Sequence, residues 1–127
     1  MTPEQKIKHA LILLAVEESE PLTVPITENN VDELYEDFDL GDILYEFRQG
    51  EVETNILAPS SRIYESRSVA AKMPDGSWVG WTYWYGGGKH GEPESIDWME
   101  DAYDLNVREE EKMVIVRTFS LKEKTDE

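Results

Sequence analysis

Apolar residues in the first sixteen positions recur with a helical period. Ile7, Ala10, Leu11, Leu14 and Ala15 fall on one face, and Ile12, Leu13 and Val16 widen the stripe. Thr2, Pro3 and Gln5 supply a start signal: a capping hydroxyl, a proline suited to the first turn and the glutamine of a capping box. The spacing predicts a helix buried on most sides, with a buried strand over 10–16 as the competing reading. Pro21 and Pro25 follow, and Pro25 allows residues 22–26 no more than a short edge strand. Asn30 stands where a helix cap belongs. Val31, Leu34, Tyr35 and Phe38 then take i, i+3, i+4, i+7 spacing, and Leu40, Ile43, Leu44 and Phe47 repeat it. Gly41 interrupts the two sets and Gly50 is placed to stop the second. Residues 30–49 are therefore expected to form one kinked helix or two short ones.

Beyond Ser60 the period shortens to two. Residues 62–73 alternate, Pro74-Asp75-Gly76 is a turn signal, and residues 77–85 read as the returning strand of a hairpin. A Gly/Pro loop covers 86–95. Ser95 is placed to cap a short helical turn through Ile96, Trp98, Met99 and Ala102. Residues 103–107 and 112–121 then predict a second hairpin around Glu109, Glu110 and Glu111. The expected fold is α+β: N-terminal helices packed on a four-stranded, mostly antiparallel sheet made of two hairpins. Residues 1–121 form one domain in this reading, and 122–127 a charged C-terminal tail.

The densest chemistry sits in the returning strand. Three of the four Trp and two of the six Tyr lie between residues 78 and 85. Alternation puts Val79, Trp81, Tyr83 and Tyr85 on one face and Trp78, Gly80, Thr82 and Trp84 on the other. Either the strand is central and covered on both sides, with the 86–103 segment and Trp98 as the second cover, or one face is a recognition platform.

Charge changes the picture more than composition does. The chain of 127 residues holds 28 acidic against 12 basic residues, a formal net charge of −16. That balance opposes binding to nucleic acid or to anionic membranes, which need basic residues. Cysteine is absent, which removes disulfides, thiol nucleophiles and zinc–thiolate sites and fits a cytoplasmic protein. The apolar run at 10–16 is too short to span a bilayer. Between residues 9 and 47 there are eleven acids and no Lys or Arg. Of these, Asp32, Glu33, Glu36, Asp37, Asp39, Asp42 and Glu46 are expected to point outward from the helical region at 30–49. A second acid-only stretch, residues 90–107, holds Glu92, Glu94, Asp97, Glu100, Asp101 and Asp104.

Like charges three and four apart on a helix cost about 0.2–0.5 kcal/mol each, so a basic partner would explain their presence. A solvated acidic face is the plainer alternative. In charge and size the chain resembles the DNA-mimic proteins, often encoded by phages or other mobile elements, which occupy the DNA site of a nuclease or repair enzyme. The resemblance rests on charge and size, without a shared motif. It implies a basic partner protein, such as a DNA-processing enzyme, and no direct contact with nucleic acid.

Enzymatic signatures are weak. The segment Gly86-Gly87-Gly88-Lys89-His90-Gly91-Glu92 suggests an anion nest, but no Ser or Thr follows Lys89 as a Walker loop requires. Asp37, Asp39 and Asp42 do not complete a twelve-residue calcium loop. His9 and His90 are the two histidines, and no paired nucleophile and base is visible. No catalytic residue, metal site or cofactor is assigned. The leading reading is a non-enzymatic acidic interaction protein that contacts its partner through the seven acids with Trp81, Tyr83 and Tyr85. The alternative is a small ligand-binding or catalytic site at Lys89, His90 and Glu92 beside the aromatic strand.

Overall fold

The computed structural model describes residues 1–17 and 21–122. Glu18 and Glu20 of the acidic run, and the charged tail after Lys122, lie outside the described residues.

A capping box opens helix α1 (Pro3–Glu17), as expected. The Gln5 N–H donates to Thr2 Oγ1 at 3.2 Å, and the Thr2 N–H donates to Gln5 Oε1 at 3.0 Å. Ile7, Ala10, Leu11, Ile12 and Ala15 are its buried residues. Leu14, expected inward, is exposed, and Ile12 takes the inward place. Two short helices follow rather than one kinked helix: α2 (Val31–Glu36) and α3 (Asp42–Phe47). Gly41 parts them with a positive φ of 48°. Asn30 occupies the N-cap position of α2, as expected, but its side chain makes no capping bond. Its Oδ1 accepts from the Thr27 N–H at 2.7 Å and its Nδ2 donates to the Pro25 carbonyl at 2.9 Å, tying down the preceding turn. Residues 22–26 form no strand. Gly50 ends the helical region as expected. Its φ is +79°, and a Cβ there would lie 2.5 Å from Val69 Cβ, so neither the backbone nor the sheet beneath tolerates a side chain.

The sheet is four-stranded and antiparallel, in the order β1 (Val52–Glu53), β2 (Glu65–Lys72), β3 (Trp78–Tyr85) and β4 (Tyr103–Leu105). Helices and antiparallel sheet together make the α+β fold that the pattern predicts. Asp75 closes the β2–β3 turn, where its Oδ1 accepts the Ser77 N–H at 2.9 Å and the Ser77 hydroxyl at 2.6 Å. The edges differ from expectation. Residues 112–121 belong to no strand, so the second hairpin does not form, and the fourth strand is β1, where the hydrophobic pattern assigns none. The reason lies in residues 107–112. They contain no Gly, Pro, Asn or Asp to make a tight turn, and they hold three adjacent glutamates. The expected helical turn at 96–102 is also absent. A single 3-10 turn, Pro93–Ser95, precedes Trp98 and Met99, which are buried.

Register assigns the faces. Val69 pairs with Trp81 and Ala71 with Val79, and these four belong to the core shared with Ile7 and Leu11 of α1. Paired residues share a face. The opposite face therefore carries Lys72 with Trp78, Ala70 with Gly80, Ser66 with Trp84, and Tyr103 and Leu105 from β4. Gly80 is glycine because Tyr103 and Leu105 lie over it, and a Cβ there would stand 2.7 Å from Tyr103 Cε2.

Candidate partner-binding face

Helices α2 and α3 and the segment between them expose Glu33, Glu36, Asp37, Asp39, Asp42 and Glu46. None of the six makes an ion pair with any of the described residues. Asp32, expected to belong with them, is engaged internally. It accepts from Lys8 Nζ at 3.1 Å and from Gln5 Nε2 at 3.2 Å, joining α2 to α1. These bonds, that from Lys8 first, hold its carboxyl below the usual carboxylate value. Burial works against the Lys8 charge, but hydrogen bonding and attraction from Asp32, aided by Glu4, outweigh it and raise the Lys8 pKa.

A carboxyl depressed in the folded state contributes stability above its unfolded pKa and loses it as pH falls through the folded value. Because Asp32 is exposed, Asp32→Asn is expected to cost less than about 1 kcal/mol near pH 7. The difference from wild type should vanish in acid, at a pH below the lowered folded-state value. Urea unfolding at the two pH values checks this, and a cost that persists in acid would remove the ion pair as its cause.

The aromatic residues separate. Trp81 is fully buried. It stacks on Phe47 of α3 at 5.6 Å, meets Trp98 at 5.1 Å, and donates its indole N–H to the Arg48 carbonyl at 2.8 Å. It is thus a core residue and not a contact for a partner. Trp98 covers the helix side of β3, so it does not cover the opposite face. Tyr83 and Tyr85 are half-buried and meet at 5.1 Å. The Tyr85 hydroxyl accepts from Arg67 Nε at 3.2 Å. With Arg67, Gly50, Glu51 and Glu53, the two tyrosines line a groove of about 330 Å³.

Arg48 links this region to the acidic helices. It follows α3 directly, is only 5% exposed, and has its guanidinium over Tyr45 at 4.8 Å and over Tyr83 at 5.1 Å. Its Nη1 donates to the Trp84 carbonyl at 2.8 Å, while Nε is buried without a hydrogen-bond partner. A buried cation without a carboxylate partner is costly. Two aromatic faces, each contributing about 0.5–2 kcal/mol, offset part of that cost.

No family model, curated protein or solved structure matches this chain. Function must therefore be argued from these residues themselves.

Lys89 and His90 lie exposed in a 3-10 turn, Gly88–His90. Glu92 is exposed too, and its backbone N–H donates to the Tyr64 hydroxyl at 3.2 Å. The groove along Tyr83 and Tyr85 is bounded by residues 49–53 and not by these three. Among the described residues, no group of three His, Asp or Glu side chains is arranged to hold a metal ion.

Reasoning from the sequence missed Tyr45. It lies between Asp42 and Glu46 on α3 and is 52% exposed. A signal for it existed: Tyr45 is absent from the inward set of Ile43, Leu44 and Phe47, so an aromatic ring falls on the acidic side of the helix.

Proposed function

We propose that this is a non-enzymatic, cytoplasmic interaction protein that binds a basic surface on a partner protein. Glu33, Glu36, Asp37, Asp39, Asp42 and Glu46 carry the charge contact, and Tyr45, with Tyr83 behind it across Arg48, supplies the aromatic anchor. The observation carrying this reading is where the acids stand. Glu36 is the last residue of α2, Asp37 its C-cap, and Glu46 the penultimate residue of α3, and neither helix has a basic residue in its last turn. Carboxylates at a helix C-terminus oppose the macrodipole by about 0.3–1 kcal/mol each. Local stability therefore favours other residues at these positions, and a complementary partner gives a reason for acids there. No helix among the described residues is long and apolar enough to cross a membrane.

The sharpest version is a DNA mimic from a phage or mobile element that blocks a DNA-processing enzyme. Duplex DNA carries a charge about every 1.7 Å of its axis, and six unpaired carboxylates within fourteen residues offer a field of the same sign. Immobilised protein should capture a basic enzyme from lysate at low salt and release it as ionic strength rises. Capture indifferent to salt, or a captured set without basic proteins, would refute the charge mechanism. Competition by duplex DNA for the same enzyme would separate mimicry from a general acidic contact.

A further inference from the structure

Residues 113–121 form an exposed apolar segment in an otherwise polar surface. Met113, Val114, Ile115, Val116, Phe119 and Leu121 are 76–103% exposed. None of residues 113–121 makes a backbone hydrogen bond or strand pair among the described residues. Yet the segment is rich in β-branched residues and includes Phe119. As a strand it would put Met113, Ile115, Phe119 and Leu121 on one face, with Arg117 among them. Such a run is not stable facing water and marks an interaction site.

The same chain carries a receptor for it. Strand β4 pairs with β3 on one side and forms the sheet's edge on the other. On the face away from the helices, a cavity of about 510 Å³ runs across the sheet from β1 to β4, lined by Val52, Ile56, Trp78, Leu105 and Val107 and by charged residues such as Glu53 and Glu109. Charge matches as well. Residues 112–122 hold Lys112, Arg117 and Lys122 and no acid, whereas residues 90–107, which include β4, hold six acids and no Lys or Arg. A basic apolar arm and an acidic body with an open edge are complementary.

We propose that residues 112–121 are a β-strand arm that adds to the free β4 edge of a second copy of this chain, which returns its own arm in a two-fold exchange. Folding back onto the same sheet needs a tight turn within residues 107–112, where Val, Arg, three Glu and Lys supply no turn residue. Leaving extended, the arm reaches a second molecule instead. Reciprocal exchange is closed and self-limiting, and it pairs both free β4 edges. The acidic helices take no part in this contact, so it stands independently of the partner-binding reading.

The test is the mass of the full chain in solution by sedimentation or light scattering, from about 1 to 100 μM. The expected species is a dimer of the 14.7 kDa chain. In it, amide hydrogen exchange should be slowed at both 103–107 and 113–121. The double variant Ile115→Asp, Phe119→Asp alters exposed residues that lie outside the core cluster. It should keep the wild-type circular dichroism and raise the dimer dissociation constant at least about 100-fold. A monomer throughout the range would overturn the proposal, whether the arm folds back or awaits another protein. So would a dimer that survives the double variant, or one whose residues 113–121 exchange freely.

Discussion

Replacing Glu36, Asp37, Asp39 and Glu46 together by lysine is expected to abolish salt-sensitive capture of the basic partner while leaving the fold at least as stable. Each exposed pair across such an interface contributes about 0.2–1 kcal/mol, and reversal substitutes repulsion for attraction. Four reversals then remove about 3 kcal/mol, roughly two orders of magnitude in affinity. Stability should move the other way. Three of the four acids sit at helix C-terminal positions that favour a cation. Loss of binding with an unchanged or higher urea midpoint would identify a surface kept for contact. A variant that binds as well as wild type would reduce these acids to solvation. Lys89→Ala with His90→Ala is the matched control, expected to change neither property, because both residues stand exposed on the loop and away from the groove.

Trp81→Ala is expected to cause the largest loss of stability, about 3–5 kcal/mol. The indole fills the space between α3, β3 and the 93–99 segment through its contacts with Phe47 and Trp98. Its loss also leaves the Arg48 carbonyl without its donor. Since a domain of this size has only about 5–15 kcal/mol in total, the variant should be partly unfolded when warmed. Trp81→Phe separates the two contributions. It keeps most of the packing and removes the hydrogen bond, at about 1–3 kcal/mol. The remaining tryptophans report unfolding by fluorescence in both variants. If Trp81→Ala unfolded at the wild-type urea concentration, the indole would not be the centre of this core.

What could be read along the chain follows from how local each signal is. The α1 capping box, the Asp75–Gly76 turn and the stop at Gly50 each depend on a few neighbouring residues, and each forms as the residues dictate. The central hairpin was equally legible, because the Pro74-Asp75-Gly76 turn between two strand-forming runs sets their register. Strand β1 is two residues long and carries no pattern of its own. It exists because the chain leaving Gly50 runs alongside β2, where the Glu51 N–H donates to the Ala70 carbonyl at 2.9 Å. Its neighbour Arg48 reads as an ordinary basic residue after an acidic helix, and only the fold buries it between two tyrosine rings.

The acidic face was largely legible, since an amphipathic period decides which residues point outward. Asp32 departs from that set because Lys8, distant in sequence, reaches it only once α1 and α2 pack. The largest divergence lies at residues 112–121. The sequence pattern marks a strand there and the structure forms none, because a strand needs a partner edge and no local pattern supplies one. By itself the sequence determined the helix and hairpin periods, the sign of the surface charge and the turn residues, all set by near neighbours. Tertiary structure decided that Trp81 is buried while Tyr45 is exposed, that Asp32 is paired, and that residues 113–121 pack on nothing in the core. Those outcomes depend on which distant surfaces meet, and burial and pairing are properties of the meeting and not of the residue.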